Sequence, residues 1–141
     1  MRAYTRAAQS YGSVQLVTGV ATADNVQLIQ MLFDGLLESL ATARGHIENG
    51  NIMGKSNALS RAGRIVVGLQ GALDFERGGE LANNLNELYG YMTRRMLHAN
   101  ANNDVETLHE VTSLVRDISE AWRTLPGLLG ESGRQQVRYA S

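Results

Sequence analysis

A chain of 141 residues with 43% hydrophobic and 19% charged residues suits one ordinary domain that builds its core without metal or disulfide staples. Thirteen Lys and Arg against 14 Asp and Glu leave a net charge of -1, which gives no electrostatic reason to expect nucleic acid or an anionic membrane as partner. Cysteine is absent, which excludes disulfides, thiol catalysis and cysteine-ligated zinc and fits a reducing compartment.

The opening Met1-Arg2-Ala3-Tyr4-Thr5-Arg6 leads into polar residues rather than the apolar core of a signal peptide. No apolar run approaches the ~20 residues that cross a bilayer. The expectation is a cytoplasmic protein with no membrane insertion. Residues 1–23 are rich in small and polar side chains yet hold Tyr4, Tyr11, Val14, Leu16 and Val17, and read as an N-terminal arm or short cap helix.

Helical periodicity then appears four times, over about 24–48, 52–75, 79–100 and 104–125. Asp24 is a good N-cap for the first helix, and Asn49-Gly50-Asn51 ends it. In the second, Leu59, Ala62, Val66, Leu69 and Leu73 recur at steps of three and four. Arg77-Gly78-Gly79 closes that unit, because glycine readily takes a left-handed cap conformation. The third places Leu81, Leu85, Leu88, Met92 and Met96 on one face, with Tyr89 and Tyr91 at its two edges. Asn100 to Asn103 breaks it and Asp104 caps the fourth, whose stripe runs through Val105, Leu108, Thr112, Val115, Ile118 and Trp122 towards Pro126, the only proline. Residues 127–141 are glycine-rich and polar and read as a flexible tail. No strand pattern competes, and connections this short make successive helices antiparallel. The predicted fold is all-α, an antiparallel up-down four-helix bundle.

The first helix carries more apolar surface than one core-facing stripe needs. Leu28, Ile29, Leu32, Phe33, Leu36, Leu40 and Ile47 form the stripe, while Val26, Met31 and Leu37 fall outside it. Either this helix is central, or a second apolar surface awaits cover.

Chemistry is scarce. Glu106-Thr107-Leu108-His109 is an E-x-x-H, but carboxylate-bridged di-metal bundles use two such motifs plus two further glutamates, and only one copy occurs. No His pair at i and i+4, no G-x-S-x-G elbow and no G-x-x-x-x-G-K loop is present. Gly78-Gly79 before a helix suits a cap better than an anion site, lacking the further glycine and lysine. The expectation is a binding protein rather than an enzyme, with no catalytic residue, cofactor or metal.

The stretch Leu73-Asp74-Phe75-Glu76-Arg77-Gly78-Gly79-Glu80-Leu81-Ala82-Asn83-Asn84-Leu85, continuing Leu88-Tyr89-Gly90-Tyr91-Met92-Thr93-Arg94-Arg95, resembles the signature of the flagellar secretion chaperone FliS family. Leu28-Ile29-Gln30-Met31-Leu32-Phe33-Asp34-Gly35 is close to that family's L-I-x-M-L-Y-D-G, and Ala99-Asn100, Asp104 and Trp122 also match, so the likeness spans roughly Tyr11 to Trp122. Asp24-Asn25 stand where the family usually has Ser-Pro, and Phe33 replaces a common tyrosine.

The resemblance implies a cytosolic chaperone that binds the disordered C-terminal segment of flagellin, prevents its premature polymerisation and helps present it to the export gate component FlhA. It also implies an N-terminal arm that lies over an apolar site until the client takes it. On this reading the client-facing residues are Tyr11, Val14, Leu16, Met31, Leu37, Tyr89, Tyr91 and Arg95, in a monomer or weak dimer. A generic helical adaptor, or a homo-oligomer whose spare apolar face meets its own copy, is the alternative on composition.

Overall fold

The computed structural model describes residues 23–124, which form four α-helices: α1 (Ala23–Glu48), α2 (Ile52–Gly71), α3 (Phe75–Asn102) and α4 (Val105–Arg123). Two or three residues join each helix to the next, too few for anything but reversal, so the four run up and down as an antiparallel bundle. Around the ring, α1 packs on α2 and α4, and α3 packs on the same two from the opposite side.

Short polar side chains set the boundaries. Asn51 accepts the Gly54 N–H at 2.9 Å, and Asp104 accepts that of Thr107 at 3.2 Å, each satisfying a backbone donor that the first helical turn leaves without a partner. Gly50 (φ 72°) and Asn103 (φ 52°) take the left-handed conformation that ends α1 and α3. The capped end of α3 is held from α2, where the buried Lys55 ammonium donates to the Asn100 carbonyl at 2.8 Å and to Asn103 Oδ1 at 2.7 Å. A cation there also complements the partial negative charge of a helix C-terminus.

The region around Gly78-Gly79 departs from expectation. α2 stops at Gly71, and Asp74 caps a new helix by accepting the Glu76 and Arg77 N–H groups at 3.1 and 3.2 Å. The glycine pair therefore lies inside α3, one turn from its start, as a kink with Gly79 at φ 51°, ψ -126°. That backbone region is nearly closed to residues with a Cβ. At Gly78 a Cβ would stand 2.8 Å from the Ala82 Cβ. Replacing Gly79 by alanine is expected to destabilise the protein by about 1–3 kcal/mol, read as a lower urea midpoint with unchanged slope.

The core is filled from all four helices, with Phe33, Leu36, Leu40, Val66, Leu69, Met92, Leu108, Val111 and Val115 fully enclosed. The stripes expected on α2 and α4 are the ones buried or half-buried. On α3 the buried row is Ala82, Tyr89, Met92, Met96 and Ala99, so Tyr89 is a core residue rather than an edge one, and Leu81 faces outward at 66% exposure.

The apolar surplus of α1 divides three ways. Val26 is buried, and its carbonyl accepts the Trp122 indole N–H at 3.2 Å. Leu37 is half-buried against the core. Met31 alone stands out, at 63% exposure. Because α1 has α2 on one side and α4 on the other, much of its breadth is core-facing.

Candidate functional site

A groove runs between α1 and α4. On α1, Gln30, Asp34, Leu37, Ala41 and Arg44 recur at steps of three and four and so share one line along the helix. That line meets α4: Gln30 Nε2 donates to Ser119 Oγ at 2.9 Å, and Arg123 Nη2 donates to Asp34 Oδ1 at 3.4 Å. Between these contacts and Arg44 lie two neighbouring depressions of about 70 and 500 Å3 that share Leu37 and Arg116 as walls. Leu37, with the enclosed Leu40 and Leu108 beneath it, gives the smaller depression an apolar floor edged by Arg44, His109 and Arg116, while Arg116, Asp117, Glu120 and Arg123 edge the larger one, so the rim carries both signs of charge. Among the described residues the ion pairs engage Arg61, Arg77, Arg95, His98 and Arg123, so Arg44 and Arg116, like Arg64 and Arg94, form none there. Such a channel suits an amphipathic segment that lays apolar side chains against Leu37 and turns polar and charged ones to the rim.

A second, more apolar groove of about 90 Å3 lies at the end of the bundle where α1 begins and α4 ends. Leu69, Leu73, Leu81, Leu85, Tyr89 and Trp122 are among its walls. Burial drives the Tyr89 phenol far above its ordinary value, so it stays protonated and neutral.

The outer seam between α3 and α4 is polar. Tyr91 donates its hydroxyl to Glu110 Oε2, Arg95 Nε donates to Glu110 Oε1 at 2.9 Å, and Arg95 Nη2 donates to Thr107 Oγ1 at 3.2 Å. Thr107 in turn donates to Asp104 Oδ2 at 2.7 Å, and His98 Nε2 lies 3.3 Å from the same oxygen. The hydrogen bonds from Tyr91 and then Arg95 hold the Glu110 carboxyl below its ordinary 4.5, and those from Thr107 hold Asp104 below 3.8. Both groups are depressed, so the stability they contribute is complete above these ordinary values and fades as pH falls through the lower folded ones. The expected outcome is that Glu110→Gln shrinks the loss of urea resistance between about pH 7 and pH 3, because one depressed carboxyl no longer takes up a proton on unfolding.

The residues expected from sequence to face a client are thus dispersed. Tyr11, Val14 and Leu16 lie outside the described residues. Leu37 lines the α1–α4 groove, and Met31 lies ~120° further round α1, on a different line. Tyr89 is interior, with its ring on the end groove, while Tyr91 and Arg95 are committed to the α3–α4 seam. Arg44 and Arg116 were outside the sequence reading; isolated arginines on two helices signal nothing until the helices are side by side. Glu106 and His109 of the E-x-x-H are both exposed.

The model of the family described as flagellar protein FliS matches residues 7–127. The chain belongs to the FliS family. Relatives agree over most of their length. The chain is 45% identical to the flagellar secretion chaperone FliS of Salmonella typhimurium over 118 residues, covering 83% of this chain and 87% of that protein. It is 43% identical to the flagellar secretion chaperone FliSB of Pseudomonas aeruginosa over 117 residues, 83% of this chain and 93% of that one. With the FliS of Bacillus subtilis the identity is 36% over 104 residues, 74% and 77% of the two chains. Family membership makes this chain a secretion chaperone rather than an enzyme. Among the described residues, no helix is long and apolar enough to cross a membrane.

Proposed function

We propose that this FliS-family chain is a cytoplasmic export chaperone for flagellin: it binds the disordered C-terminal segment, keeps it from polymerising early and helps deliver it, through FlhA, to the flagellar type III export apparatus. The observation that carries the reading is the α1–α4 groove, an apolar floor at Leu37 edged by two arginines that form no ion pair among the described residues. An amphipathic stretch of the client seats on half-buried Leu37, and exposed Met31 extends the contact where the client wraps round α1. Before the client arrives, Tyr11, Val14 and Leu16 of the N-terminal arm cover apolar surface of α1.

Physical economy supports a wrapped client. Ordering a disordered segment costs several kcal/mol, so a large area of contact is needed for useful affinity. Separate surfaces on α1 and in the groove provide such an area better than one deep pocket. The test is calorimetric titration with the C-terminal segment of a flagellin from the same organism. Saturable one-to-one binding with a clearly negative heat-capacity change is expected. No heat at tens of micromolar, with the chaperone still helical, would favour an adaptor or self-associating protein instead.

A further inference from the structure

The charges that edge the α1–α4 groove change sign along its length. Arg44, His109 and Arg116 edge the smaller depression, and no carboxylate lines it. In the larger one Arg116 and Arg123 stand against Asp117 and Glu120, and Arg123 already engages Asp34 at 3.4 Å. Among the described residues Arg44, Asp117 and Glu120 form no ion pair. We propose, resting on the reading of this groove as the client channel, that it selects the charge order of what it binds. The segment that seats here is an amphipathic helix with carboxylates at the Arg44–His109 end and cations at the Asp117–Glu120 end.

Distance lets the two ends act separately. Glu120 lies on α4 beyond His109 by about 16 Å along the axis, at 1.5 Å per residue. Charges are screened over about 8 Å at physiological ionic strength, so each end acts on its own neighbour and not on the whole segment. Between the ends Leu37 supplies an apolar contact common to both depressions. The partner helix that matches is about three turns long, apolar along one face and oppositely charged at its ends. Such a charge order also suits a helix by itself, since acidic residues stabilise its first turn and basic ones its last. This chain's own flanks lack that chemistry. Residues 1–23 hold Arg2 and Arg6 and no aspartate or glutamate, and residues 125–141 offer Glu131 alone beside Arg134 and Arg138. Nor do nearby carboxylates answer the cationic end: Tyr91 and Arg95 hold Glu110, while Glu48 and Glu106 line neither depression. The carboxylates that complete it come from a partner.

Two synthetic helical peptides with the same apolar face serve as probes. One carries a cluster of glutamates in its first turn, the other a cluster of lysines in its last, and both are otherwise uncharged. Titrated into the full chain, each is expected to bind one-to-one. Arg44→Glu is expected to weaken the glutamate peptide by about two- to tenfold, the size of one or two exposed ion pairs, and to leave the lysine peptide no weaker. Glu120→Lys is expected to do the reverse, and both losses are expected to vanish near molar salt. Both side chains are exposed, so helical circular dichroism is expected to stay the same. The milder Arg44→Gln and Glu120→Gln are expected to give smaller losses in the same crossed order. Equal losses for both peptides, no loss for either, or no binding of either peptide to the parent chain overturns the proposal. Self-association of the free chain that each reversal weakens would give the groove to a second copy and overturn it equally. The flagellin segment is titrated alongside. Crossed losses without flagellin binding leave the charge order standing and remove flagellin as the client; flagellin binding without crossed losses does the opposite.

Discussion

Replacing Met31 and Leu37 together by glutamate is expected to abolish flagellin-segment binding while the chain keeps its helical circular dichroism. The two positions contribute differently. Leu37 stands half-buried on the groove floor, where loss of an apolar anchor worth roughly 1.5–3 kcal/mol lowers affinity about ten- to a hundredfold. Met31 is 63% exposed, so a charge there disturbs no packing and acts only on a bound partner. The single Met31→Glu variant therefore separates binding from folding: full stability with weakened binding supports the proposed client surface, and full stability with full affinity removes Met31 from it. Arg116→Glu supplies an independent check. Reversing a groove charge that forms no ion pair among the described residues is expected to weaken an acidic client and to flatten the salt dependence of its binding.

The architecture was legible where one physical signal spoke alone. The break at Asn49-Gly50-Asn51 and the cap at Asp104 need only local backbone chemistry, and both stand where that chemistry places them. The stripes on α2 and α4 recur at steps of three and four without a competing apolar row, so their phase is clear. On α3 the expected stripe holds at Leu85, Leu88, Met92 and Met96, which are half-buried or buried, while Leu81 faces outward and Ala82 and Tyr89 join the buried row. The Asp74 cap was visible in principle, an aspartate just before a helical run, but the glycine pair four residues on is a louder signal for a boundary. The left-handed cap expected at Arg77-Gly78-Gly79 is not formed: Gly79 has positive φ but ψ of -126°, a kink beyond which α3 resumes directly.

The site was less legible than the fold because its parts are long-range. Lys55 looks like a surface lysine in sequence and is instead buried against the end of α3, a relation that exists only once α2 and α3 are antiparallel. Tyr91 and Arg95 have the residue types of a binding surface, yet Glu110 and Thr107 on the next helix engage both. Excess apolar width on α1 was the informative clue. Most of it is absorbed by having two neighbouring helices, and what remains is Met31 and the edge of Leu37.

The second large effect is expected at Phe33. Its ring is 1% exposed and meets Trp122 edge-on, with centroids 6.3 Å apart and planes at 62°. The contact joins α1 to the end of α4, and the indole N–H of the same tryptophan is already fixed on the Val26 carbonyl. Phe33→Ala removes both a large buried volume and the edge-to-face pair, at an expected cost of about 3–5 kcal/mol. For a domain of typical stability, about 5–15 kcal/mol, that is a large fraction, and melting is expected to fall by about 10 °C or more. Phe33→Tyr restores the residue common in the family pattern and keeps the volume, but brings a hydroxyl into an enclosed site. It is expected to cost less than the alanine change, with about 1–3 kcal/mol as the upper range if the hydroxyl stays unpaired. Thermal unfolding followed at Trp122 checks both variants, since the probe sits against the altered side chain. If Phe33→Ala melted with the parent, the α1–α4 contact would be no part of what holds the bundle closed, and the groove it borders would lose its rigid wall.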